Sequence, residues 1–372
     1  MEGVIFVLLN HALELHTTRS WDFIGFSESY VRHSYYNAGN VIIGMFDSGI
    51  RPESDSFSDE GLEPPPKKWK GKCQTTKNFT CNNKIIGARY YSSLKTDIKC
   101  PRDTTGHGTQ TASIATGREV LGASYYGLAK GVARGGAPSA RIAVYKVCWS
   151  FVCYAADILA AFEDAIADGV DIISISFGGS MHGNYFLNPT ALGSLHALKE
   201  GIVTIGAAGN YGPERGILSN SAPWMVTVAA SSIDRKYVSP DPKATILFTE
   251  VVEDIQAPYD AGFSSRGPNL VSPNILKPDL TAPGVNILAA WPSTVPVSEK
   301  VHSKKRVKYN KLSGTSASCP HVTGVAAYVK ATDPNWSPAA IKSALMTTAY
   351  VMDPEKHKNE KEFAYGSGLI TL

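Results

Sequence analysis

Four side chains in this sequence together have the chemistry of acyl transfer: Asp47, His107, Asn210 and Ser316. A serine hydroxyl becomes a nucleophile when a base takes its proton. The base keeps the right tautomer when a carboxylate holds it, and the oxyanion that forms needs hydrogen-bond donors. Ser316 offers the hydroxyl, His107 the base, Asp47 the carboxylate and Asn210 an amide donor, with acid, base and nucleophile in that chain order. Singly, each has an ordinary explanation. An aspartate at a strand end is commonly a turn residue, a histidine between glycines a loop residue, an asparagine after glycine a turn former, and a serine at a helix start a cap. Only the combination supports a catalytic reading.

The surrounding pattern gives these residues places to stand. Val41 to Phe46 is a continuous apolar run that ends at Asp47. His107 lies in Gly106-His107-Gly108-Thr109, just before a helical pattern. Asn210 follows the strand-like run Ile202 to Ile205, within Ala207-Ala208-Gly209-Asn210. Ser316 opens a helix predicted from Thr315 to about Lys330, rich in Gly, Ala and Val and therefore buried. Further strands are expected at Arg141–Val147, Val170–Phe177 and Met225–Ala230, and helices at Ala155–Asp168, stopped by Gly169, and at Thr190–Lys199. A last helix starts at the N-cap Ser337, with Pro338 at its first position. Strand–helix alternation of this kind predicts an α/β fold, a mostly parallel sheet flanked by helices on both faces. In such a sheet reactive residues gather at the carboxyl ends of the strands. Ser54–Cys100 and Pro292–Lys308 lack a pattern and are expected to be surface loops.

Composition excludes several classes. The chain has 372 residues, 43% hydrophobic and 19% charged, enough apolar material for a large core. The net charge is only +3, and the single dense basic run, Lys304 to Lys308, reads as a solvated loop rather than a nucleic-acid surface. No apolar stretch is long enough to span a membrane. The run Val4–Leu9 has no basic leader and does not read as a signal peptide. Among the six cysteines, Cys73/Cys81 and Cys148/Cys153 are close in sequence and are expected to form local disulfides, with Cys100 and Cys319 free. Zinc is the rival explanation, but no histidines stand at ligand spacing beside them. Asn78-Phe79-Thr80 and Asn335-Trp336-Ser337 are glycosylation triplets compatible with secretion.

The strings Thr17-Thr18-Arg19-Ser20-Trp21-Asp22-Phe23, Gly106-His107-Gly108-Thr109, Phe263-Ser264-Ser265-Arg266-Gly267-Pro268 and Gly314-Thr315-Ser316-Ala317-Ser318-Cys319-Pro320-His321 resemble those of a plant-type, cucumisin-like subtilase. The similarity runs from about Glu2 to the end. It implies a subtilisin-like fold and a serine endopeptidase that needs no cofactor and no metal. Asp47, His107 and Ser316 would form the triad, and the Asn210 amide and the Ser316 N–H the oxyanion donors. By the same resemblance, Ser176-Phe177-Gly178-Gly179 and Ala207-Ala208-Gly209 would line the pocket for the residue before the cleaved bond. Their small uncharged side chains imply broad specificity with an apolar or aromatic preference. Partners would be protein or peptide substrates, with a propeptide inhibitor acting in trans, for a monomer outside the cell.

Departures from the family pattern are equally specific. Gln110 stands where a histidine is usual, Ala317 where methionine follows the nucleophile, and Cys100 where no cysteine is expected. Residues 1–16 are expected to be a propeptide tail and 17–372 the peptidase domain. By the resemblance, the protease-associated insert is expected to be missing near 239–243, which should be a surface loop before a strand Ala244–Phe248, and a fibronectin-like domain is expected to be missing after Leu372. One alternative is a truncated relative without activity that at most binds peptides. Another, an α/β-hydrolase, lacks its Gly-x-Ser-x-Gly elbow, because Thr315 and Ala317 flank Ser316, and has the wrong residue order.

Overall fold

A computed structural model describes residues 19–26, 38–93, 99–179, 183–238, 250–297, 306–353 and 361–371. The tail 1–16, the join at 239–243 and the strand expected at Ala244–Phe248 lie outside them. Seven strands form one parallel sheet: β1 Ile42–Asp47, β2 Ile85–Tyr90, β3 Arg141–Lys146, β4 Ile172–Ile175, β5 Val203–Ala207, β6 Val226–Ser231 and β7 Leu280–Pro283. Their order across the sheet is β7-β6-β5-β4-β1-β3-β2. The register pairs Asp47 with Lys146, Phe46 with Ile175, and Ile175 with Gly206. The strands at the centre are continuous apolar runs because both faces of a parallel sheet are covered.

Among the described residues, five helices of eight or more residues supply that cover: α1 His107–Thr116, α2 Ala155–Asp168, α3 Pro189–Lys199, α4 Thr315–Thr332 and α5 Pro338–Thr347. Alternation along each strand divides the core in two. Ile43, Met45, Val144, Ile172 and Val203 pack with Ala115 of α1 and Val322 and Val325 of α4. Ile42, Phe46, Tyr145, Ile173 and Ile175 pack with Ile158, Phe162 and Ala165 of α2 and Ala197 of α3 on the other face. Caps set the helix ends. Gly169, at φ 84°, stops α2, and the Ser337 hydroxyl accepts from the Ala340 N–H at 3.2 Å to start α5.

The α/β expectation and the positions of β1, β3, α2 and α4 agree with the structure. Ser54–Cys100 does not behave as a surface loop throughout. It contains β2, with Ile85, Ile86 and Ala88 buried, and Phe57 and Phe79 in the core. β2 is the last strand of the sheet, paired with β3 and bridged on its outer side to Cys73 through Ala88, and glycine and arginine interrupt its apolar run, so no pattern announces it. Its neighbouring loop is closed by the Cys73–Cys81 disulfide, and the Cys148–Cys153 disulfide staples a short hairpin after β3. Cys100 and Cys319 are free, as expected. Within Pro292–Lys308, the described residues form no regular element, and an antiparallel pair, Ile287–Ala290 with Tyr309–Leu312, brackets the segment.

Candidate active site

Asp47 is the last residue of β1, and its side chain is buried. One carboxylate oxygen accepts from the Ser48 N–H at 2.7 Å and lies 2.7 Å from His107 Nδ1, and the other accepts from the Thr111 hydroxyl at 2.9 Å. Both oxygens are engaged, so the carboxylate cannot rotate away from the imidazole. His107 opens α1 behind Gly106, whose φ of 94° is left-handed and whose hydrogen side faces the Trp291 ring, 2.5 Å from where a Cβ would sit. The His107 side chain stays 23% exposed, an open edge beside a buried partner. Burial opposes the imidazolium, but the Asp47 carboxylate and the more distant Asp103 outweigh it, so the His107 pKa is raised above its ordinary 6.5.

Asp103 was not singled out by sequence. It is buried, and one of its oxygens accepts from the Ser48 hydroxyl at 3.0 Å, the Thr105 N–H at 3.0 Å and the Gly106 N–H at 2.9 Å. The other oxygen accepts from the Thr109 N–H at 2.9 Å and its hydroxyl at 2.6 Å. The Gly108 N–H in turn donates to the Ser48 hydroxyl at 2.9 Å. Asp103 therefore caps α1 and ties its first turn to the end of β1. An acidic residue in the Asp103-Thr104-Thr105-Gly106 run before a helix start was the available signal.

Ser316 is half-buried in the first turn of α4, where its N–H has no preceding helical carbonyl to donate to. Asn210, exposed beyond β5, turns its side-chain oxygen to the Thr315 N–H at 2.9 Å and the Thr315 hydroxyl at 3.0 Å. That fixes Nδ2 on the opposite side. A Cβ at Gly314 would stand 3.3 Å from Asn210 Nδ2 and 3.5 Å from Ser316 Oγ, so any side chain there would intrude between them. The Ser176 hydroxyl donates to the Ser316 carbonyl at 3.1 Å, which pins the first turn of α4 to the end of β4.

Ser176-Phe177-Gly178-Gly179 continues β4, and Ala207-Ala208-Gly209 ends and continues β5, so the two segments flank each other on neighbouring strands. Gly178 and Gly179 are exposed, Phe177 and Gly209 half-buried, and Ser176, Ala207 and Ala208 buried. Gln110 is wholly buried. It points away from His107, donating at 3.2 Å to the Asn310 carbonyl, with its own side-chain oxygen unpartnered. Ala317 is buried under the site, and Cys100 is half-buried, with the Thr76 hydroxyl 3.3 Å from its sulfur. Burial pushes the Cys319 thiol up to about 11, which leaves it unreactive at neutral pH.

The arrangement is a buried carboxylate, a partly open imidazole, and a serine at a helix start beside an amide. A family model described as the subtilase family matches residues 38–368. The chain belongs to the subtilase family. Subtilisin-like protease SBT4.3 of Arabidopsis thaliana is 42% identical to it, covering 100% of this chain and 66% of the relative. Subtilisin-like protease SBT4.10 of the same plant is 43% identical, covering 100% and 62%. The chain thus spans a little under two thirds of the length of these relatives. Among solved structures, a protein titled Sphericase superposes with a TM-score of 0.63 at 22% identity, over 98% of this chain and 95% of that one. A psychrophilic protease superposes with a TM-score of 0.61 at 24% identity, over 90% and 92%. These two establish the subtilisin-like fold. No helix among the described residues of this subtilase is long and apolar enough to cross a membrane.

Proposed function

We propose that this subtilase is a serine endopeptidase that cleaves protein and peptide chains through an acyl-enzyme. The supporting observation is the His107–Asp47 pair at 2.7 Å, held from both sides, on the same edge of the sheet as Ser316 and Asn210. His107 takes the Ser316 proton as the hydroxyl attacks the scissile carbonyl, then gives it to the leaving amine. Asp47 holds Nδ1 protonated, leaving Nε2 as the base. The oxyanion is met by Asn210 Nδ2 and the Ser316 N–H at the positive end of α4. Water then repeats the sequence on the ester.

An active-site-directed fluorophosphonate tests this on the purified chain. Labelling is expected in the wild type and absent in Ser316→Ala, with turnover lowered by several orders of magnitude in Ser316→Ala and His107→Ala and by roughly 10²–10³ in Asn210→Ala. Unchanged turnover in Ser316→Ala would sink the assignment, and a folded wild type that takes no label would leave a peptide binder without activity.

The walls at Ser176–Gly179 and Ala207–Gly209 carry no acidic side chain to recruit Lys or Arg. Backbone groups there pair with an extended substrate as an added strand, a contact blind to side chains. Specificity is therefore broad, with apolar or aromatic residues before the cleaved bond favoured by roughly 1–3 kcal/mol. A peptide-library digest should return that preference; strict cleavage after basic residues would show that these walls are not the pocket. Two disulfides suit an oxidising, extracellular compartment, and a propeptide supplied in trans is the inhibitor this reading calls for.

A further inference from the structure

The ladder between β4 and β5 ends at Ile175 paired with Gly206, and beyond it the two chains separate into the walls of the groove. Nothing in the strands themselves fixes how far they separate. A third segment does. The Asn220 side-chain amide donates to the Phe177 carbonyl at 2.8 Å and to the Ala207 carbonyl at 2.9 Å, one hydrogen to each wall. Both hydrogens of a planar amide group are thus used, which sets the two carbonyl oxygens about 5 Å apart. Ser219, the residue before it, repeats the bridge. Its N–H donates to the Ala208 carbonyl at 2.7 Å, and its hydroxyl donates to the Gly179 carbonyl at 3.1 Å.

This elbow is rigid. Ser219 and Asn220 are both buried, and the Thr227 hydroxyl on β6 donates to the Asn220 carbonyl at 2.8 Å. Asn220 holds φ 51°, a left-handed conformation that asparagine tolerates better than most residues. The fit is close: a Cβ at Gly178 would fall 2.5 Å from Ser219 Cβ, and one at Gly206 would fall 2.8 Å from Asn220 Cβ.

We propose that Asn220, seated by Ser219, is a positioning residue that sets the width of the substrate groove by clamping its two walls. It touches no reacting atom. Its effect reaches the substrate through the backbone of Phe177 and Ala207, on which the added strand and the side chain before the cleaved bond depend. The proposal rests on the endopeptidase reading.

Asn220→Gly is the discriminating variant, because glycine accepts the left-handed φ and keeps the elbow's backbone while deleting the side chain that makes both bonds. Steady-state kinetics on two peptides differing only before the cleaved bond, phenylalanine against alanine, should show KM rising at least tenfold for the phenylalanine substrate. kcat should fall by much less, and the preference for phenylalanine should shrink. Asn220→Asp, which removes one donor pair and buries a charge, should show the same split more severely, and circular dichroism checks the folding of both. Wild-type KM and preference in folded Asn220→Gly would overturn the clamp, as would equal losses in kcat and kcat/KM with KM unchanged. Fluorophosphonate labelling of the wild type is read alongside. If the wild type fails to label, the endopeptidase reading has failed; if it labels while Asn220→Gly keeps KM and preference, the clamp alone has failed.

Discussion

Two carboxylates act on His107 by different routes. Asp47 bonds the ring itself, whereas Asp103 bonds the Gly106 and Thr109 backbone that delivers the ring and reaches it only through its field. Both favour the imidazolium, and burial works against them, with a net rise above 6.5. A general base must be neutral to act, so the acid limb of kcat/KM belongs above that ordinary value. Asp103→Asn removes one of the charges that stabilise the protonated ring. The sign follows directly: the His107 pKa falls, and the acid limb moves to lower pH. The substitution also turns an amide toward N–H and O–H donors, so α1 loses capping at a cost of about 1 kcal/mol, and kcat drops with it. A pH profile of kcat/KM for both proteins checks the direction. A limb that stays in place or moves up would show that Asp103 acts on the helix alone.

At the scale of elements, the sequence was legible where periodicity and a stop signal coincide. α2 carries Ile158, Phe162 and Ala165 on one face and ends at a left-handed glycine, and its predicted bounds match those observed. β1 and α4 were legible for the opposite reason: β1 is apolar up to Asp47 and buried along its length, and α4 is rich in Gly, Ala and Val and buried from Ala317 to Ala327. β2 was not, since Gly87 and Arg89 interrupt its apolar run even though Ile85, Ile86 and Ala88 are buried. The network around Asp279 shows a second blind spot. Lys277 and Lys342 each place an ammonium on one of its oxygens, at 2.5 and 2.8 Å, tying α5 to β7. Burial brings the Lys277 pKa down to about 7 against the pull of Asp279. Lys342 stands more than sixty positions away in sequence, and composition offers no hint that two lysines would share one buried carboxylate. Asp103 and Asn220 escaped notice likewise. Asn220 bonds the backbone of two other segments, and backbone partners leave no trace in residue type, whereas Asp103 bonds mainly the turn that follows it and offered only the weak signal of an acidic residue before a helix start.

Across the whole molecule, α4, the helix that carries Ser316, is also held from the amino-terminal side. The Arg19–Phe26 segment lies over α4. Trp21 packs its ring 4.8 Å from that of His321 and 5.3 Å from that of Phe26, and Arg19 forks onto Asp234 beyond β6. His321 is fully buried, five residues along the helix from Ser316. Its Nδ1 donates to the Ala317 carbonyl at 2.8 Å, which leaves Nε2 to accept from the Ser20 hydroxyl at 2.9 Å. That pairing needs the neutral ring, and burial pushes the His321 pKa down to about 4. Between that value and the ordinary 6.5 the unfolded chain binds a proton that the folded chain refuses, so stability is present above pH 6.5 and is lost as pH falls toward 4. A depression of this size is worth roughly 3 kcal/mol. His321→Gln keeps a donor and an acceptor at the same place but cannot take up a proton. Urea unfolding at pH 7 and pH 4 should therefore show the wild type losing roughly 3 kcal/mol more than the variant, since every carboxylate titrates alike in both. Parallel losses would mean that His321 finds a way to carry its charge in the fold, and that the clasp between the Arg19–Phe26 segment and α4 does not depend on its neutrality.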